Sequence, residues 1–205
     1  MESNYEKMKR QMAAQFLTYP QVEMIRRFGL TADAGFLSFP FLGGDCRVER
    51  ETGKVWCRLD GDAAFYEADY NEAMTVYDLL CWSRPDASPA GRFVSIQSLS
   101  GVYGAGQGDS LTARDAAALD HREADLRRAM AHLDGIPESG GDAAARIPLF
   151  GGLEILLRFW SSDEEFPPSL QLLWDAGILS YLHYETVWFA AGALLARIRR
   201  LMLPR

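Results

Sequence analysis

Cysteine is scarce in this chain of 205 residues, which contains three: Cys46, Cys57 and Cys81. None takes part in a CxxC or Cys/His spacing, so neither a zinc site nor an iron-sulfur cluster is indicated. Their number and spacing suit a reducing compartment. Cys46 and Cys57 flank a predicted turn at Thr52-Gly53, and they lie either opposite or offset across a hairpin, with a disulfide as one alternative.

The chain also has no excess of positive charge, no segment that resembles a signal peptide and no long apolar run. Its formal net charge is -7 at pH 7, which disfavours nucleic-acid binding because that binding needs a basic surface. The polar N-terminus resembles no signal peptide, and the longest apolar tract, residues 187–196, is too short to cross a bilayer. We therefore expect a cytoplasmic protein with no membrane span and no nucleic acid as a partner.

What the chain does contain is 48% hydrophobic residues in periodic segments, and its length is enough for one sizeable core or at most two small ones. Helical spacing predicts helices at 2–16, 21–28 and 70–82, and a long C-terminal helix at 180–202. Short apolar or alternating segments predict strands at 36–42, 46–50, 54–59, 93–97, 143–149 and 153–160. Together they predict an α+β fold, a single domain over 1–205 with a mainly antiparallel sheet covered by helices.

A further helix is predicted over 112–133, with His121 and His132 off its apolar stripe. We therefore expect both histidines at the surface. The preceding segment, 98–108, is rich in glycine but contains neither a dinucleotide-binding motif nor a P-loop. We interpret it as a flexible connection.

The most distinctive stretch is Phe159 to Pro168, which places three carboxylates between aromatic residues, before a double proline. One face of strand 153–160 mixes an acid, a base and an indole, which fits either an exposed face with a salt-bridging pair or a wall that faces a ligand. The ligand-binding hypothesis needs an apolar pocket with a few polar groups. Its candidate residues are Arg158, Trp160, Asp163, Glu164, Glu165, Phe166 and Asp175.

A metal-dependent enzyme is a second hypothesis, because carboxylates and an imidazole bind divalent ions and transfer protons. Its candidate residues are Asp163, Glu165, Asp175, His183 and Glu185. A lone histidine near a helix start is also typical of a hydrogen-bonded structural group. No nucleophile with an adjacent base is visible, so no catalytic residue and no cofactor is assigned.

A third hypothesis is an interaction module that docks a protein through its terminal helix or exposed aromatic residues. The three hypotheses differ in where the acids and aromatics lie. Acids and aromatics in one concave pocket favour a ligand or catalysis, and acids without aromatics favour a metal. Acids scattered around a flat apolar patch favour a protein partner.

Several motifs occur in the order of a known family. They are Gly141-Asp142, Pro148, the strand into Trp160, the segment 163–167, Leu173-Trp174-Asp175, and Tyr181-Leu182 with Glu185. With helix 76–82, strand 93–96 and turn 101–103, they resemble the uncharacterised prokaryotic family Domain of Unknown Function number 3786 over roughly residues 20–200. The resemblance implies an α+β domain of anaerobic bacteria and archaea, sometimes joined to iron-sulfur modules, with no established activity.

This chain departs from the family pattern in three places. It has no cysteine cluster of its own, Thr186 stands where a second acid is expected, and helix 76–82 lacks a histidine that the family pattern leads us to expect. An iron-sulfur role is therefore not carried over. We expect a small-ligand or cofactor-binding accessory domain in anaerobic metabolism, with a small molecule or a redox protein as its partner.

Overall fold

The computed structural model describes residues 3–99 and 108–203, with the side chains of 108–111 left aside. These residues divide into two compact units. Unit 1 is built from residues up to 88 together with 179–193, and unit 2 from residues 89–178 together with those from 194 on. Each unit contains one five-stranded antiparallel sheet within the described ranges. The α+β prediction is thus confirmed, although the strands form two sheets; the single domain stays a prediction.

Unit 1 starts with two helices, α1 (Asn4–Phe16) and α2 (Gln21–Phe28). Five strands follow and pair in sequence order: β1 (Thr31–Ala32), β2 (Phe36–Phe41), β3 (Gly44–Glu49), β4 (Val55–Arg58) and β5 (Tyr66–Glu67). Helix α3 (Tyr70–Cys81) then begins at a capping box, in which Asp69 and Glu72 each accept the other's backbone N–H. The local signals for the three helices and for β2, β3 and β4 are strong, and their predicted bounds differ from the observed ones by at most two residues. The two-residue strands β1 and β5 were not predicted.

The β3–β4 hairpin turns at Thr52-Gly53 as predicted, and it places Cys46 directly opposite Cys57. Both side chains are buried. Their sulfur atoms are 3.8 Å apart, well beyond the length of a disulfide bond, so the two residues are packed as thiols.

The tip of this hairpin packs closely against its own unit. Gly53 has a φ of +74°, and a Cβ at this position would lie 2.5 Å from the backbone oxygen of Ala13. The Tyr77 hydroxyl donates a hydrogen bond of 2.8 Å to the Gly53 carbonyl. Burial raises the pKa of Tyr77, which keeps this hydroxyl protonated and able to donate. The turn therefore requires glycine for its φ and for the space beside α1.

Unit 2 alternates strands and helices before its longest strands. Its elements are β6 (Phe93–Ser95), α4 (Ile96–Leu99), α5 (Gly108–Leu119), α6 (Glu123–His132), β7 (Ile136–Pro137), β8 (Ala143–Phe150), β9 (Leu153–Trp160) and β10 (Ser169–Asp175). The strand order is β6-β10-β9-β8-β7. The long C-terminal helix α7 (Tyr184–Leu201) gives residues 184–193 to unit 1 and its remainder to unit 2.

The prediction of one helix over 112–133 is wrong. The chain leaves α5 after Leu119 and starts α6 at Glu123, and between them His121 has a φ of +56°. A non-glycine residue in this region interrupts a right-handed helix. The predicted strand at 93–97 also ends early, because α4 begins at Ile96. Most of the glycine-rich connection, residues 100–107, lies outside the described residues.

No helix in the described ranges is both long and apolar enough to span a membrane.

A glycine pair in unit 1 tests the packing of the hairpin tip. Gly29 also has a positive φ, but an added Cβ there meets nothing within 4 Å. We expect Gly29→Ala to cost about 1 kcal/mol from its backbone conformation alone. Gly53→Ala should cost about 3 kcal/mol, because the backbone must also move away from Ala13. Urea unfolding of both variants measures the difference, and equal losses would contradict the close packing.

Candidate functional site

The acidic loop, residues 161–168, joins β9 to β10 and closes on itself. The Asp163 carboxylate accepts the backbone N–H groups of Glu165 and Phe166 at 2.8 and 2.7 Å, and these hydrogen bonds lower its pKa. Glu164 and Glu165 are exposed, and Phe166 keeps 66% of its surface exposed. Asp163 therefore shapes the turn, while its neighbours face water.

Four hydrogen bonds attach the start of this loop to the rest of unit 2. The Ser161 N–H donates to Asp142 at 2.8 Å, and its hydroxyl donates to Glu123. The N–H and hydroxyl of Ser162 donate to the two oxygens of Asp120 at 2.8 and 2.7 Å. These hydrogen bonds lower the pKa of Asp120 and the pKa of Glu123, since they stabilise the charged carboxylates. The two serines thus explain part of the distinctive motif that the sequence reading left open.

Ser162, His121 and Asp120 come together, but not as a catalytic triad. The Ser162 hydroxyl lies 3.3 Å from His121 Nε2 and closer to Asp120, to which it donates. A triad needs the carboxylate to orient the imidazole through Nδ1 and the imidazole to accept the serine proton. Here the carboxylate holds the serine, so the cluster fastens the loop.

Arg158 and Trp160 lie among the last residues of β9, next to the acidic loop. Arg158 packs over Gly140, where an added Cβ would lie 3.0 Å from its Nε. Trp160 is partly exposed at the strand end. Glu154, which shares their face, forms its ion pair with Arg146 of β8 at 3.0 Å. The salt bridge on this face of β9 therefore joins Glu154 to the neighbouring strand β8.

Asp175 is buried at the far end of β10 and serves as an anchor. It is 3% exposed, and it accepts the backbone N–H groups of Ala90, Gly91 and Gly177 at 2.7 to 2.8 Å. From Ser169 to Asp175 the strand spans about 20 Å, at about 3.3 Å per residue. The structure therefore does not bring Asp175 to the carboxylates of the acidic loop.

The metal hypothesis requires a cluster of ligands. Within the described ranges, no group of three or more His, Cys, Asp or Glu side chains is placed to hold an ion. Glu185 is exposed in the first turn of α7. His183, in contrast, takes part in a defined arrangement in unit 1.

We call this arrangement, Asp78, Trp82 and His183, the imidazole site. Asp78 lies in the last turn of α3 and is 7% exposed. One of its oxygens accepts the backbone N–H of His183 at 2.7 Å, and the other lies 2.7 Å from His183 Nδ1. The Trp82 indole, 55% exposed, stacks on the imidazole with ring centroids 4.1 Å apart and planes tilted by 32°. A polar ring is thus held between a buried carboxylate and an exposed aromatic surface.

Two segments of unit 1, 82–84 and 180–183, run side by side to build this site. The Arg84 N–H donates to the Ser180 carbonyl at 2.8 Å. The Ser83 hydroxyl donates to the Leu79 carbonyl at 2.5 Å and lies 3.3 Å from the Tyr181 carbonyl. Arg27 of α2 donates to the Ser83 carbonyl at 2.5 Å. These contacts hold together the segments that carry the neighbouring Trp82 and His183.

Of the three residues of the imidazole site, only His183 is among the candidate residues predicted from the sequence. Asp78 stands within the apolar run 76–82, and an acid in such a run indicates a buried carboxylate that needs donors. Trp82 directly precedes a turn-rich loop, where an indole is easily exposed. These two signals were available, but nothing in the sequence connects them to a histidine about a hundred residues away.

Unit 2 also contains a cavity of about 680 Å³ between α6 and the last residues of α7. Arg122, Asp125, Arg128 and His132 line it, and none of the candidate residues predicted from the sequence does. Both guanidinium groups pair with the same carboxylate, Asp125. Asp125 therefore compensates one of the two positive charges, and one positive charge remains among these three side chains.

Comparison with known proteins gives one positive finding. A family model described as Domain of unknown function (DUF3786) matches residues 21–197, which confirms the resemblance and its extent. Neither a curated protein nor a solved structure matches the chain.

The acidic loop should loosen in acid. Asp120, Glu123 and Asp163 have lowered pKa values in the folded chain, so their hydrogen bonds stabilise it fully above their ordinary values of 3.8 and 4.5. That stability is lost as the pH falls through the lowered values. We expect the amide resonances of Ser162 and Glu165 to shift with midpoints below 3.8. Midpoints at or above the ordinary values would contradict these hydrogen bonds.

Asp175 and Asp163 form a matched pair, since each accepts backbone N–H groups but only Asp175 is buried. Asp175→Ala should cost about 3 kcal/mol in urea unfolding, because it removes a buried carboxylate and leaves three backbone N–H groups without their acceptor. Asp163→Ala should cost clearly less than Asp175→Ala, since water replaces its exposed carboxylate. Similar losses for the two variants would show that Asp175 is not an anchor.

Proposed function

The chain belongs to the family described as Domain of unknown function (DUF3786), and we propose that this member binds a small ligand or cofactor at the imidazole site. One observation carries the proposal: an exposed imidazole is fixed in orientation by a buried carboxylate and stacked on an exposed indole. Binding sites combine apolar surface with a few polar groups in set positions. The imidazole site has both. Trp82, directly after α3, provides the apolar surface, and His183, directly before α7, provides the polar group.

The ligand of this site has a planar ring and a polar edge. Trp82 exposes more than half of its surface, and an indole of this kind favours stacking with a flat conjugated ring. The His183 side chain is 42% exposed, and within the described ranges its Nε2 has no hydrogen-bond partner. A ligand that stacks beside Trp82 can therefore form a hydrogen bond with Nε2. Nucleobases, flavins and similar conjugated rings have this chemistry.

We place this binding in an accessory role in anaerobic metabolism, in the cytoplasm. The family resemblance motivates the anaerobic setting, and the three scattered cysteines, which suit a reducing compartment, motivate the location. A redox protein is the partner expected to use or deliver the ligand.

The acidic loop is the second candidate site for the same function. Its exposed Phe166 and partly exposed Trp160 stand beside several carboxylates, which favours a cationic or polar conjugated ligand. Docking of a protein on Trp82 is the competing function, since an exposed indole also suits an interface. A metal-dependent enzyme remains the alternative hypothesis with the fewest supporting contacts.

A comparison of two tryptophan variants tests the proposal. The full chain, Trp82→Ala and Trp160→Ala would be purified without oxygen and measured by native mass spectrometry and absorbance. Each ¹⁵N-labelled protein would also be titrated with riboflavin 5′-phosphate and with AMP as planar probes. We expect an adduct or probe-dependent shifts at His183 in the full chain and in Trp160→Ala, and their loss in Trp82→Ala.

The other outcomes are equally decisive. Loss in Trp160→Ala with retention in Trp82→Ala would move the site to the acidic loop. A clean mass with no shift from either probe would overturn small-ligand binding at the imidazole site.

A further inference from the structure

The orientation of the His183 ring determines which nitrogen carries its hydrogen. An ionised carboxylate accepts hydrogen bonds and donates none. Asp78 lies 2.7 Å from Nδ1, and its second oxygen is occupied by the backbone N–H of the same histidine. The hydrogen of the neutral ring therefore belongs on Nδ1, and the lone pair belongs on Nε2.

The ring cannot easily exchange its two nitrogens by turning over. Its backbone is attached to Asp78, and one face is stacked on Trp82 at 4.1 Å. A flip would remove Nδ1 from the buried carboxylate and leave that carboxylate short of a donor, which is costly at 7% exposure. The lone pair on Nε2 is thus held toward the exposed side of the site.

The nearby thiol does not compete for this role. Burial raises the pKa of Cys81 to about 12, and the charge of Asp78 adds to the effect. Cys81 therefore stays a protonated thiol near neutral pH, and thiolates rather than thiols act as nucleophiles. The imidazole is the basic group that the site presents.

We propose that His183 Nε2 accepts a proton from the bound ligand, whose class is a small molecule with an acidic O–H or N–H at its polar edge. This inference rests on the proposed ligand binding. In the step, the ligand's O–H or N–H bond breaks and leaves its electron pair on the ligand. A new Nε2–H bond forms, and the resulting imidazolium lies beside the Asp78 carboxylate, which offsets its charge. Asp78 is the positioning residue.

The ring tautomer of the ligand-free full chain is the first test. The chain has three histidines, so single substitutions assign their two-bond ¹H–¹⁵N spectra. In mildly alkaline buffer, where an ordinary imidazole is neutral, we expect hydrogen on Nδ1 for His183. His132, exposed on α6, should show predominantly hydrogen on Nε2 and serves as the reference. Hydrogen on Nε2 of His183 would overturn the inference without any variant.

Reactivity with diethyl pyrocarbonate is the second test. Nε2 attacks one carbonyl of the reagent, an ethoxycarbonyl group is transferred to the nitrogen, and ethyl carbonate leaves and decays to ethanol and carbon dioxide. We expect His183 to react at least fivefold faster than His132 in peptide mapping. Asp78→Asn should remove this advantage, and Asp78→Glu should restore part of it. Equal rates for His183 and His132 in the full chain would overturn the inference.

These readouts separate the two proposals. If Trp82→Ala abolishes binding while the tautomer is on Nε2, the site binds but does not accept a proton. If the tautomer and reactivity are as expected but no adduct or probe binds, the basic imidazole stands and the ligand proposal fails.

Discussion

A carboxylate removed from water must be given hydrogen-bond donors, and much of each unit is arranged around one such group. In unit 1, Asp78 takes its donors from His183, 105 residues further along the chain. In unit 2, Asp175 takes backbone donors from Ala90 and Gly91, about 85 residues earlier. An unsatisfied buried carboxylate costs several kcal/mol, roughly the size of a domain's whole stability. Both carboxylates therefore determine where distant segments of chain must lie.

The same constraint produces different surfaces in the two units. Asp175 is satisfied by backbone groups and presents no side chain to solvent. Asp78 is satisfied partly by an imidazole, and that ring remains exposed and stacked on Trp82. A structural requirement thus leaves a chemically useful group at the surface. The acidic loop shows the opposite case, since its serines and Asp163 use their polar groups to hold the loop.

Local features were predicted well because their signals act between neighbouring residues. Helix α2 and strand β9 have the predicted bounds, and the hairpin turns at Thr52-Gly53. The break at His121 was missed, since apolar residues continue on the same helical stripe across it. Strand β10 was also missed, because three of its apolar residues are adjacent and do not alternate with polar ones. Strands β1, β5 and β7 were missed because two residues are too few for a periodic pattern.

For the candidate site too, the residue types can be identified from the sequence, but the contacts between them cannot. The sequence alone determined that His183, the acidic loop and Asp175 carry polar chemistry, because residue types are read directly. It also determined the α+β class and the family, through periodicity and the order of motifs. Only the tertiary structure decided that Asp175 is an anchor and that His183 meets Asp78 and Trp82. Burial and hydrogen bonding depend on which distant segments pack together, and that packing is not encoded in the spacing of neighbouring residues.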